Sequence, residues 1–104
     1  MKIAVDFDGT IAKRNGIPTI SQNTEDLEPM EGSRQTMQLL LDIGYEVYIF
    51  TNHEPIKEVN DWLEMFDFPD GIKVTNIKQP DTNVYIDDRA IRFTNWQDIR
   101  KYFA

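Results

Sequence analysis

Lys2-Ile3-Ala4-Val5-Asp6-Phe7-Asp8-Gly9-Thr10 is the stretch that decides the fold. Ile3-Ala4-Val5 is a short apolar run of the kind that forms a buried strand. It runs straight into two carboxylates, Asp6 and Asp8, and Gly9-Thr10 then breaks the strand pattern. Carboxylates this close repel, so keeping both ionised requires a cation or a shared proton. A buried strand that delivers such a pair marks a site rather than a surface.

Two further apolar runs end in polar residues of the same kind. Tyr48-Ile49-Phe50 leads to Thr51-Asn52, and Val84-Tyr85-Ile86 leads to Asp87-Asp88, with Lys78 between them in sequence. Taken in order, Asp-Phe-Asp-Gly-Thr, the strand-end Thr51, Lys78 and the late acidic pair resemble the four ordered motifs of the haloacid dehalogenase-like (HAD) phosphohydrolases. The likeness covers most of the chain.

Composition sets outer bounds. The 104 residues make a single domain, 1–104, with room for one modest core and little for a separate lid. A formal net charge of −7 argues against general affinity for nucleic-acid backbone, which needs clustered Lys and Arg. There is no cysteine, hence no disulfide, no thiolate zinc site and no thiol nucleophile. No signal-peptide pattern and no apolar run of membrane-spanning length is found, so a cytoplasmic location and no membrane partner are expected.

Residues 11–30 are a polar connection with Lys13, Arg14, Gly16, Pro18 and Pro29, long for a compact domain. It reads equally as a mobile surface loop and as a functional one. Met37, Leu40 and Leu41 predict a helix over 33–43, closed by Gly44. A strand follows over 45–50. Pro55 opens a second helix with a stripe of Ile56, Val59, Leu63 and Phe66, flanked by Trp62 and Met65. Strands are predicted over 72–75 and 83–87. With Asn76 counted in the third strand, the residues between them, 77–82, are too few for a helical crossover, which takes about a dozen residues, so the link returns nearly taut. A short extra strand is expected within 89–94. A final helix over 95–103 would be capped by Thr94 or Asn95 and buried through Trp96, Ile99 and Phe103.

This alternation predicts an α/β domain whose parallel sheet is covered on both faces. The resemblance implies a three-layer, Rossmann-like, mostly parallel sheet in the order 3-2-1-4, with helices on both faces and residues 11–30 as a short cap-like loop over an almost capless site. It also implies roles. Asp6 would be the nucleophile that forms an aspartyl-phosphate. Asp8 would be the general acid and base. Thr51, the Asn52 amide and Lys78 would bind the phosphoryl group. A Mg²⁺ ion would be held by Asp6, the main-chain carbonyl of Asp8 and Asp87, with Asp88 as an outer partner orienting the metal's waters in preference to a further ligand. Arg89 would support the acidic pair. His53 reads either as an ordinary helix-start histidine or as a substrate contact.

The expected activity is therefore Mg²⁺-dependent hydrolysis of a small-molecule phosphate monoester, a sugar phosphate or a nucleotide. A homo-oligomer could cover the open site. Two other classes fit parts of the pattern: a receiver-like phospho-aspartate signalling module, and a catalytically silent phosphate-binding protein. The receiver reading needs its acceptor Asp at the end of the third strand, where this chain has Thr75-Asn76.

Overall fold

A computed structural model describes residues 1–13, 24, 27–53 and 55–104. The chain is a small α/β protein built on a four-stranded parallel sheet. The elements are β1 (Lys2–Asp6), β2 (Ala12–Lys13), β3 (Glu28–Pro29), α1 (Ser33–Ile43), β4 (Glu46–Phe50), α2 (Ile56–Met65), β5 (Lys73–Thr75), β6 (Val84–Ile86) and α3 (Trp96–Lys101). The main sheet runs β5-β4-β1-β6, and β2 and β3 form a separate antiparallel pair. Among the described residues no helix is long and apolar enough to cross a membrane.

Register sets which side chains share a face. Val5 lies between Ile49 and Ile86, and Ala4 between Tyr48 and Tyr85. Because side chains alternate along a strand, Ile3, Val5, Val47 and Ile49 point to one side. There they join Met37 of α1 and Val59, Trp62 and Leu63 of α2 in a single apolar cluster. Both predicted helices therefore cover the same face, as successive right-handed crossovers moving the same way along a sheet require.

The helix ends follow from local chemistry. Gly44 at φ 102° closes α1, its amide bonding to the Leu41 carbonyl and that of Tyr45 to Leu40. A left-handed residue at this point favours glycine. Pro55 stands in extended conformation immediately before α2.

Among the described residues no helix lies over the opposite face, so helices on both faces, expected from the resemblance, are not seen there. The link from β5 to β6 lies over it instead. The Tyr48 hydroxyl, 2% exposed as a residue, contacts Thr82 Oγ1 at 2.6 Å and accepts from the Gln79 amide at 3.2 Å. Lys2 Nζ reaches Gln79 Oε1 at 3.0 Å and Asp81 at 2.8 Å. Nor is the link nearly taut, for it holds a turn in which Thr82 bonds back to Gln79. Crossing three strand spacings and stepping back three residues along the sheet needs only ~17 Å, and eight extended residues reach up to ~29 Å.

Three more expectations are corrected. Trp62, read as core but at the flank of the α2 stripe, is at the centre of the core instead: its Nε1–H donates to the Leu27 carbonyl at 3.0 Å, and its ring meets Phe7, Phe66 and Phe68 within 5.4 Å. Residues 89–94 form no strand. The last helix is present, capped by the Asn95 side chain on the Asp98 amide, but has no buried residue; Trp96 is 74% and Phe103 78% exposed. Of the cap-like connection, Ile11, Ala12 and Leu27 are buried in the core and β2 pairs with β3. The cap role expected of 11–30 falls largely on 14–23, 25 and 26, outside the described residues.

Candidate functional site

The site lies at the C-terminal ends of β1, β4 and β6, the edge at which open parallel sheets bind ligands. β1 ends at Asp6 and the chain then folds into a tight loop. The Phe7 carbonyl accepts from the amides of Ile11 and Ala12, and the Gly9 amide bonds to the Ala12 carbonyl. Gly9 takes φ 81° in this loop. The turn holds Phe7 in the core and leaves Asp6 and Asp8 half-buried on either side of it.

Asp6 meets the late acidic pair. One carboxylate oxygen from each of Asp6, Asp87 and Asp88 falls within 4.8 Å of the others. Burial first, then the charges of Asp87 and Asp88, push the Asp6 carboxyl up to about 6. The Thr10 hydroxyl donates weakly to it at 3.5 Å. Asp87 is held in turn by the Arg89 amide at 2.6 Å, so the support expected from Arg89 comes through its backbone. Asp88, expected as an outer partner in preference to a ligand, offers its oxygen in the same group as the other two.

Asp8 turns elsewhere. Its carboxylate contacts His53 Nε2 at 2.8 Å and 2.9 Å through its two oxygens. This charge-accepting hydrogen bond, more than any other influence, raises the imidazole above its usual 6.5. The edge of Phe7 packs against the ring at 5.4 Å. The metal contact expected of Asp8 is through its main-chain carbonyl; its carboxylate pairs with His53 and is not one of the three grouped oxygens.

Thr51 follows β4 directly and is 2% exposed. Its Oγ1 accepts from the His53 amide at 3.1 Å, and its own amide is tied to the Thr75 carbonyl. The neighbouring Asn52 is exposed. Lys78 is exposed, with its ammonium 5.8 Å from the Phe50 ring centroid and 5.6 Å from that of Tyr85. Phe50 is the register partner of Asp6, which sets Lys78 on the flank of the sheet that Asp6 faces.

Three carboxylate oxygens in one group fit a hard divalent cation, and Mg²⁺ prefers oxygen donors. The cleft between α1 and the 67–71 turn, about 770 Å³ and lined by Arg34, Gln38, Asp67 and Pro69 among others, shares no residue with this group. It gathers no cluster of titratable groups comparable to the carboxylates, so chemistry rather than cavity size locates the site.

The Asp8–His53 pair is the feature that sequence reasoning left undecided. Its signal was present: His53 lies three residues past the end of β4, which neighbours β1, and Asp8 two residues past the end of β1. Compared with protein-family models, with curated proteins and with solved structures, the chain matches none.

Proposed function

We propose that this chain is a Mg²⁺-dependent phosphomonoester hydrolase of the HAD-like kind that works through an aspartyl-phosphate on Asp6. The observation that carries this reading is the meeting of Asp6 with Asp87 and Asp88, 81 and 82 residues away in sequence, within 4.8 Å. The strand order β5-β4-β1-β6 supports it, being the 3-2-1-4 order that the motif resemblance implies.

In this reading an Asp6 oxygen attacks phosphorus and the bond from phosphorus to the leaving oxygen breaks. The leaving oxygen takes a proton from the Asp8 carboxyl, which shares one with His53 across the 2.8 Å contact. In the second half Asp8 removes a proton from water as that water attacks phosphorus. The bond to Asp6 then breaks, releasing inorganic phosphate. The buried Thr51 hydroxyl and the Asn52 amide donate to phosphoryl oxygens, and Lys78 adds a positive charge from the flank. When bound among the three carboxylates, Mg²⁺ would supply the charge that lets an anionic nucleophile approach an anionic ester.

The substrate is a small phosphate ester, a sugar phosphate or a nucleotide. The receiver-like alternative is not favoured by the end of β5, where Thr75 is buried and its hydroxyl engages the main chain of Ile77. A panel of phosphate esters assayed with Mg²⁺ tests the proposal. Phosphate release that disappears with a chelator and in Asp6→Asn is expected; release that survives unchanged in that variant overturns the nucleophile assignment.

A further inference from the structure

We infer that the apolar strip formed by β6 and α3 is covered by a second copy of this chain, each copy laying its residues 88–104 on the other's β6. The core's sheet face runs out uncovered at β6. Ile3 and Val5 are 4% and 3% exposed, yet their register partners Val84 and Ile86, on the same face, are 39% and 41% exposed. The helix that would complete this face lies on the same chain and does not cover it. No residue of 84–104 is buried, and Phe93, Trp96, Tyr102 and Phe103 are 59–78% exposed.

The hydrogen bonds that shape this segment are local: Asn95 with Asp98, Thr94 with Asp98, Tyr102 with Ile99, Arg89 with Asp87. A six-residue helix is not stable in water alone, since isolated helices below ~12–15 residues are marginal. One chain thus carries both a missing layer and the face that lacks it, and reciprocal exchange between two copies satisfies both in a closed, symmetric pair.

Area and charge agree with that occupant. The chain exposes 7506 Å², against ~6,100 Å² for a compact monomer of its mass. The segment contributes to this surplus, since no residue of 84–104 is buried, and a standard interface buries ~800 Å² on each partner. The radius of gyration is 14.8 Å, where about 13 Å is usual for this length. Residues 88–104 hold four basic and two acidic side chains, net +2, whereas residues 1–87 hold seven basic and sixteen acidic, net −9. The segment therefore meets an oppositely charged body when it docks on another copy.

Analytical ultracentrifugation of the full chain tests this directly, alongside a doubly substituted variant, Trp96→Glu with Phe103→Glu. The wild type is expected at twice the 12.2 kDa chain mass, and the variant at the single-chain mass with a far-ultraviolet circular dichroism spectrum that keeps the contribution of α1 and α2. A second preparation with Ile86→Cys and Ile99→Cys, bridged by a short bis-maleimide, is expected to give covalent dimers under denaturing conditions. A wild type that sediments as a single chain at every concentration overturns the inference, as does a bridge that closes within one chain. A variant that keeps the dimeric mass also overturns it.

Discussion

His53 Nε2 lies 2.8 Å from the carboxylate of Asp8, joining the loop after β4 to the loop after β1. It is the only histidine in the chain, so its ring signals in a nuclear magnetic resonance titration are unambiguous. Its folded-state pKa stands above 6.5, chiefly because of the bond to Asp8. In metal-free protein the midpoint is expected above 6.5 and returns toward that value in Asp8→Asn. The sign for stability follows. The pair's contribution is complete below pH 6.5 and is lost as pH rises through the folded-state value.

The same contact fixes the direction of the Asp8 carboxyl. His53→Ala frees that side chain, and misplacing a catalytic group by about 1 Å can cost ~10²-fold in rate. Under the hydrolase reading kcat is expected to fall roughly 10- to 100-fold with little change in KM, because the lost interaction acts on proton transfer rather than on substrate binding. His53→Gln, which can still donate to Asp8, should recover part of the loss. Steady-state kinetics on any accepted ester checks the split.

Asp6 makes the metal-free site unfavourable at neutral pH. Its carboxyl is held at about 6 rather than 3.8, so the folded state binds this proton more tightly than the unfolded chain does. Stability from this group is present at low pH and lost as pH rises from 3.8 through about 6. Asp6→Asn removes the penalty, and after discounting for solvent at a half-buried position the gain is about 1 kcal/mol at pH 7. Urea unfolding with a chelator should show the variant more stable at pH 7 and equal to wild type near pH 4. Added Mg²⁺ should stabilise the wild type more than the variant.

Trp62 couples α2 to the far end of the connection after β1. Trp62→Phe leaves the buried Leu27 carbonyl without its donor at 3.0 Å and shrinks a ring that touches three others. The cost is expected to be about 1–3 kcal/mol in urea unfolding. The Leu27 amide, which bonds to the Thr24 carbonyl, should lose hydrogen-exchange protection in the variant.

The link over the second sheet face is clamped by Lys2 and Asp81. Lys2 is raised above 10.5 chiefly by its bond to Asp81, and Asp81 is lowered below 3.8 chiefly by the same bond. The lysine contribution is present below pH 10.5 and lost as pH rises through its folded value. The aspartate contribution is present above pH 3.8 and lost as pH falls through its own. The Tm difference between wild type and Lys2→Met should therefore be constant across the middle range and shrink at both extremes.

The sequence by itself determined the local elements and the roster of chemical groups. Short apolar runs marked β1, β4 and β6, the spacing of Met37, Leu40 and Leu41 marked α1, and Gly44 closed it. The strand ends showed which polar residues were candidates: Asp6, Asp8, Thr51, Asp87 and Asp88. Periodicity reports which side of an element is apolar, but not what that side will meet. Trp96, Ile99 and Phe103 repeat as a buried stripe would, yet only the tertiary structure decides whether a layer lies against them, and in a single chain none does. Trp62 became central because Leu27, from a distant loop, places a carbonyl where its indole can donate. The pairing of Asp8 with His53, and of Asp6 with Asp87 and Asp88, likewise depends on β4 and β6 flanking β1, an arrangement set by packing across the sheet rather than by any local run of residues.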